Sequence, residues 1–299
     1  MIYVIGDVMI DKYVNGTISR MSPEAPVPIL LRSSQKNIPG GAANVCLNIR
    51  HLTNKVKLFG IVGNDNNGKI LKDILKEKEI DFEFIVSQNK PTITKTRFLS
   101  GYKQILRVDK EINFDFEESK KLMELILNQS KKDCPNIFLI SDYDKHSIHE
   151  DLSLKEYIDL KKLIIDSKKK DLSIFKGSLL YKSNFTELCN IANAELDISK
   201  LDKTAHEVLE KNNFKYLITT LASEGCFFSG KDGKNQLIPT EKVEVADVTG
   251  AGDNFVATLA YLLSKNYEII EAIIVSLKYA TESVKHVGNY FEDIMEIKE

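Results

Sequence analysis

The sequence predicts an α/β fold, a three-layer α/β/α sandwich, and two patterns carry that expectation. Short apolar runs alternate with helical stretches from end to end, and polar residues recur where the runs stop, at the strand ends where open α/β sheets bind ligands. Residues 12–37 and 90–110 break this rhythm: they alternate polar and apolar side chains with no intervening helix, as half-buried strands do.

The first run, Tyr3-Val4-Ile5, ends in Gly6-Asp7, with Asp11 four residues later. Pro39-Gly40-Gly41-Ala42-Ala43-Asn44 opens a helix on two glycines, with Asn44 one turn in. The strand Val56 to Val62 precedes an amphipathic stretch from Gly68 to Lys78. Ile137-Phe138-Leu139-Ile140 stops at Ser141-Asp142, Leu163-Ile164-Ile165 at Asp166, and Tyr216-Leu217-Ile218 at Thr219-Thr220. Any one such acid is equally well a cap or turn residue; their recurrence favours a shared cleft. The run Lys168-Lys169-Lys170 reads as solvated surface. His146 and His149 are spaced by one helical turn near Asp142 and Asp144, yet lack the further ligands a metal site needs.

With 299 residues the chain fits one large α/β unit spanning 1–299. A 43% hydrophobic and 28% charged composition is that of a globular protein, and the net charge of −2 argues against a general grip on nucleic acid or anionic membrane. Cys46, Cys134, Cys189 and Cys226 form no C-x-x-C pair, and no signal peptide is evident, so free thiols and a cytoplasmic location are expected. No segment has the 18 apolar residues of a membrane span.

The most informative segment is Asp247-Val248-Thr249-Gly250-Ala251-Gly252-Asp253-Asn254, followed by the apolar helical run Phe255 to Leu263. Gly250, Ala251 and Gly252 expose backbone N–H groups at the positive end of a helix, which binds anions without a basic side chain. A carboxylate inside such a turn suits an enzyme that deprotonates a hydroxyl beside a phosphoryl group, with Asp253 as base and the turn as oxyanion hole. The alternative is an ordinary glycine loop with Asp253 as a first-turn acid. Acids and amides such as Asp11 and Asn44 suit a polyol, and Gly40 and Gly41 let backbone approach it closely. There is no G-x-x-x-x-G-K-[ST] segment and no spaced dinucleotide fingerprint.

Gly6-Asp7, Gly40-Gly41-x-x-Asn44 and Gly250-Ala251-Gly252-Asp253 together resemble the ribokinase-like (PfkB) carbohydrate kinases, a likeness that covers essentially the whole chain. Asn184-Phe185-Thr186-Glu187 looks like the family's Asn-x-x-Glu motif of the magnesium and phosphate region. Thr219 to Gly225 resembles the strand and turn along the nucleotide. The resemblance implies ATP and Mg2+ as cofactors, with Asn184, Glu187, Thr220, Ala222 and Gly225 on the nucleotide side and Glu187 reaching the metal through water. It makes the insertions at about 12–37 and 90–110 a small β-sheet lid over the sugar site, of a kind that often pairs into homodimers.

Gly6 to Tyr13, Ser19 to Pro28, Pro91 to Arg97 and Leu106 to Asp109 are similar to the heptose 7-phosphate kinase subgroup, which includes the kinase half of bifunctional ADP-heptose synthases. That implies phosphorylation at C1 of D-glycero-β-D-manno-heptose 7-phosphate. A separate nucleotidyltransferase is then expected, because the chain ends soon after its last kinase helix. Arg20, Lys95, Arg97, Arg107 and Lys145 are candidates for the substrate's own phosphate, with Asp142 beside them. The subgroup usually has Gly at Asp144, His146 and near Ala222, Pro at Ser167 and a basic residue at Gly101. Several of these departures fall where sugar specificity is set. A family kinase for another sugar, and a non-catalytic sugar-phosphate sensor, are the rival readings.

Overall fold

The first strand, β1 (Ile2–Gly6), is wholly buried within a nine-stranded sheet. The computed structural model describes residues 1–101 and 103–286; the remainder of the expected 1–299 unit lies outside the described residues. Past Asp7 the chain leaves the sheet as β2 (Val8–Met21) and returns as β3 (Pro28–Gly41). Then come α1 (Ala42–Leu52), β4 (Val56–Gly63), α2 (Asn66–Glu77) and β5 (Asp81–Ser87). A second excursion, β6 (Ile93–Ser100) and β7 (Lys103–Lys110), precedes α3 (Phe116–Asp133) and β8 (Ile137–Asp142). The chain continues through β9 (Leu163–Ser167), β10 (Leu180–Asn184), α4 (Phe185–Ala192), α5 (Leu201–Asn212) and β11 (Tyr216–Thr220). It closes with β12 (Cys226–Gly230), β13 (Asn235–Ile238), α6 (Ala251–Ser264) and α7 (Ile269–Ser283).

The large sheet runs in the order β13-β12-β11-β10-β9-β8-β1-β4-β5. Its pairings are parallel except at β12, which is antiparallel to both neighbours. Because side chains alternate across a strand, each central strand feeds two cores. Val4, Leu58, Leu139, Ile164, Leu180 and Ile218 pack with α1, α2, α6 and α7. Tyr3, Phe59, Ile140, Ile165, Tyr181 and Leu217 pack with α3, α4 and α5. Burial on both faces explains why these strands read as continuous apolar runs.

The two excursions make a separate sheet in the order β3-β2-β6-β7, with β2 antiparallel to β3 and parallel to β6. It reaches further toward the core than residues 12–37, since β2 starts at Val8 and β3 ends at Gly41. Val8, Met9 and Ile10 are all buried, so the alternation that marks the outer part of the ribbon is invisible at its root. Among the described residues no helix is long and apolar enough to cross a membrane, and all four cysteines are free.

Candidate active site

Gly250 caps α6 in the left-handed region, at φ 83°, a conformation glycine adopts without steric cost. The helix begins at Ala251, one turn earlier than the apolar run suggests, so Gly252 and Asp253 lie in its first turn. Ala251 gives its N–H to the Val248 carbonyl at 3.3 Å, so it is not a free donor as the sequence suggests. The amides of Gly250, Gly252 and Asp253 have no backbone acceptor among the described residues. Those amides at a helix N-terminus are equipped to bind an anion.

Asp253 Oδ2 accepts a hydrogen bond from Asn44 Nδ2 at 2.6 Å, and Tyr143 Oη lies 3.5 Å from Oδ1. Burial is the largest influence on this carboxyl and pushes its pKa up to about 6; the Asn44 hydrogen bond opposes it, Asp166 adds to it, and Lys182 and Lys168 pull it down. Such a group is a carboxylate at neutral pH and a stronger base than a solvated aspartate. The Tyr143 hydroxyl is held well above its usual range, first by the Asp253 charge and then by burial, so it stays a donor.

Strand parity decides which strand-end groups join Asp253. Asp166 follows Ile164, Lys182 and Asn184 follow Leu180, and Thr220 follows Ile218, each at an even spacing from a residue packed against the α6 side. Lys182 Nζ pairs with Asp166 Oδ2 at 2.9 Å. Asp142 follows Ile140, which packs on the opposite face, and is fully buried. It accepts from Ser167 Oγ at 2.6 Å and from the Asp144 amide at 2.9 Å. Asp142 is therefore a prop for the loop after β8 rather than the substrate contact expected from sequence. Burial and the nearby Asp7 charge push its pKa upward.

A cleft of about 1030 Å³ opens beside the glycine turn. Asn184, Thr220, Ala222, Gly225, Ala251 and Gly252 line it, with Val245, Val248 and Phe227 supplying apolar surface. Asn184 and Glu187 form a capping box on α4, each side chain accepting from the other's backbone N–H at 2.8 Å. This occupies Glu187 Oε2, while Oε1 faces Lys168 Nζ at 3.4 Å. Among the described residues no cluster of three or more acids, histidines or cysteines forms a metal cage.

At the root of the second sheet, Asp11 and Gly40 approach so closely that a Cβ on Gly40 would lie 2.4 Å from Asp11 Oδ2. Of the candidate phosphate ligands, Arg97 is ion-paired with Asp11 and lies over the Tyr13 ring. Lys145 and Lys95 share Glu111, at 2.7 and 3.8 Å, and Arg107 pairs with Asp109 at 3.0 Å. Arg20 is exposed near the far end of β2, away from the others. Lys95 and Lys145 are brought together with Tyr143, whose ring lies 5.5 Å from Lys95 Nζ and 5.1 Å from Lys168 Nζ.

Asp7 is the buried organiser that the sequence left unassigned. Its carboxylate accepts from the amides of Tyr143, Lys145 and Ser147 at 2.7, 3.1 and 3.2 Å. The signal was a strand ending in Gly-Asp. Lys169, expected at the surface, is buried, bonds Asp144 at 2.7 Å and lies 4.0 Å from Asp142. Asp144, His146 and Ala222 have φ of 60°, 63° and 51°. The backbone at these three residues adopts the left-handed region that glycine favours, although none of them is glycine. His146 Nε2 lies 3.7 Å from Glu150 Oε2 and His149 Nδ1 lies 3.4 Å from Asp151 Oδ2.

This arrangement can be set beside known proteins. A family profile described as "pfkB family carbohydrate kinase" matches residues 1–294. The chain is 34% identical over 289 residues to "Bifunctional protein HldE" of Shewanella piezotolerans and 35% identical to the protein of that name from a Marinomonas species. Each alignment covers 96% of this chain but 60% of the relative, so the chain spans about three-fifths of the curated relatives it matches. Among solved structures, Escherichia coli phosphofructokinase-2 in complex with fructose-6-phosphate superposes with a TM-score of 0.78 at 19% identity, covering 99% of this chain and 96% of that one. Arabidopsis thaliana ribokinase complexed with ribose and ATP gives 0.74 at 18% identity, with 99% and 97% covered. The structures establish a ribokinase-like fold, and the match along nearly the whole sequence establishes that this chain belongs to the pfkB family of carbohydrate kinases.

Proposed function

We propose that the chain transfers the γ-phosphoryl group of ATP to the C1 hydroxyl of D-glycero-β-D-manno-heptose 7-phosphate. The observation that carries this reading is Asp253, held by Asn44 at 2.6 Å beside the open amides of the glycine turn, between the cleft of about 1030 Å³ and the root of the second sheet. The heptose phosphate is favoured by the motifs shared with that subgroup and by relatives named HldE.

Asp253 takes the proton of the attacking hydroxyl as its oxygen bonds to phosphorus. The amides of Gly250, Gly252 and Asp253 receive the phosphoryl oxygens. Glu187, whose Oε1 stays outside the capping box, would hold through water a magnesium ion carried by the nucleotide phosphates, and that ion would supply neutralisation of their charge. Asp11, Gly40, Gly41 and Asn44 orient the sugar, and Lys95 and Lys145 meet its phosphate by exchanging Glu111 for it. The second sheet acts as a lid that keeps water from the phosphoryl group. β7 is an edge strand exposed along its length, with Ile105, Leu106 and Val108 outward, so a second copy of the lid is its natural cover. The sugar 1-phosphate so formed is a substrate for a nucleotidyl-transfer reaction.

The test is ATP turnover measured across a panel of sugars and sugar phosphates. Preferred turnover of heptose 7-phosphate supports the proposal; preference for a hexose phosphate assigns another acceptor. Binding without turnover makes the protein a sensor.

A further inference from the structure

The geometry points to Lys182 as a side chain that contacts the transferred phosphoryl group, an inference that rests on the kinase reading above. Strand β10 is apolar until this residue, and a lysine in a central parallel strand has its ammonium removed from water. Parity turns it to the α6 side, directly across from Asp166 in the register of β9. Its Nζ would lie 3.3 Å from a Cβ placed on Gly252, so the charge sits against the first turn of α6.

The hydrogen bonding is incomplete. An ammonium has three N–H donors, and among the described residues the one hydrogen bond of Lys182 Nζ goes to Asp166 Oδ2 at 2.9 Å. Buried donors are costly to leave unpaired, so two of them beside open backbone amides make half of an anion site. The other lysines nearby are committed elsewhere: Lys168 to Glu187, and Lys169 to Asp144 across the sheet. A counter-ion to Asp166 alone would not need to abut Gly252.

The role requires no proton from Lys182. The bond from phosphorus to the ADP oxygen breaks, the bond to the sugar oxygen forms, and the hydroxyl proton passes to Asp253. Lys182 stays charged and follows the three equatorial phosphoryl oxygens, over which the transition-state charge is spread.

The experiment compares binding of ADP and of a nonhydrolysable ATP analogue, with magnesium, by titration calorimetry. In Lys182→Met the analogue should weaken by about 10–100-fold and ADP by less than about 3-fold, with kcat down about 10²–10³-fold. Lys182→Arg should recover part of the loss. Removing Lys182 leaves Asp166 buried without its partner, so Asp166→Asn with Lys182→Met controls for folding and should show the same loss of discrimination. An unchanged ratio of analogue to ADP affinity in these variants overturns the role of Lys182 alone. A native protein that binds neither nucleotide overturns the kinase reading together with it.

Discussion

Asn44 Nδ2 donates to Asp253 Oδ2 across 2.6 Å, joining the first turns of two helices that lie 209 residues apart in the chain. One amide thus couples the helix that follows the β2–β3 ribbon to the helix that carries the proposed base. It also favours the charged form of a carboxyl that burial pushes toward neutrality.

Replacing Asp253 by Asn should lower kcat by roughly 10²–10⁴ while nucleotide binding stays nearly intact, as loss of a general base does. A variant with ordinary kcat would make Asp253 a mere helix-cap residue.

The pH dependence follows from the same group. Activity should rise as pH passes through about 6, since only the carboxylate can accept the proton. Asn44→Ala should move this acid limb toward neutral pH, with Tyr143, Asp166, Lys168 and Lys182 still facing the carboxyl. Stability runs the other way: a carboxyl raised in the fold contributes stability below its unfolded value near 3.9 that is lost as pH climbs through about 6. Asp253→Asn should therefore melt higher than the native protein at pH 8, and rate profiles and thermal melts check both halves.

Asp7 gives a purely structural prediction. Asp7→Ala leaves three backbone amides in a buried site without an acceptor, which should cost roughly 3–5 kcal/mol in urea unfolding. A loss below about 1 kcal/mol would mean the loop finds other partners.

For the acceptor, heptose 7-phosphate should be used more efficiently than free heptose by about 10–150-fold in kcat/KM, corresponding to about 1.5–3 kcal/mol for a charge-assisted phosphate contact. Lys145→Met should erase most of that preference without lowering the rate on free heptose. Equal efficiency in the native protein would place it among kinases of simple sugars.

Leu106→Asp with Val108→Asp should convert a lid-paired dimer to monomers, read by light scattering after gel filtration. Both side chains are about half exposed on an edge strand, at 55% and 49%. Identical mass before and after would leave the lid unpaired.

Much of this was legible in residue order. The continuous apolar runs announced a doubly covered sheet, and the two glycine turns announced helix ends. What escaped was side-chain direction. Asp142 and Asp166 look alike as strand-end acids, yet one sits a residue out of phase with the α6 face and the other in phase. Applying the two-residue repeat to each strand would have separated them, and would have brought Lys182 forward. Lys169 was misread for a different reason. A run of three lysines is normally solvated, and its burial depends on Asp142 and Asp144, which the chain brings near only through the pairing of β8 with β9. The left-handed turns at Asp144 and Ala222 carry no glycine to mark them in the sequence.

The ribbon of β2 and β3 is a lever with a fixed fulcrum. Its last rung pairs Val8 with Gly41, and the Ala42 amide bonds the Asp7 carbonyl at 3.0 Å while the Asp7 side chain grips the loop bearing Tyr143 and Lys145. A strand of 14 residues reaches roughly 45 Å from that pivot. Asp11 and Gly40 lie within the first rungs of the ribbon, so any displacement of the tip would reach them much reduced. A partner gripping the far end would therefore act at a distance on the spacing of Asp11 and Gly40, so assembly and alignment would become one adjustment.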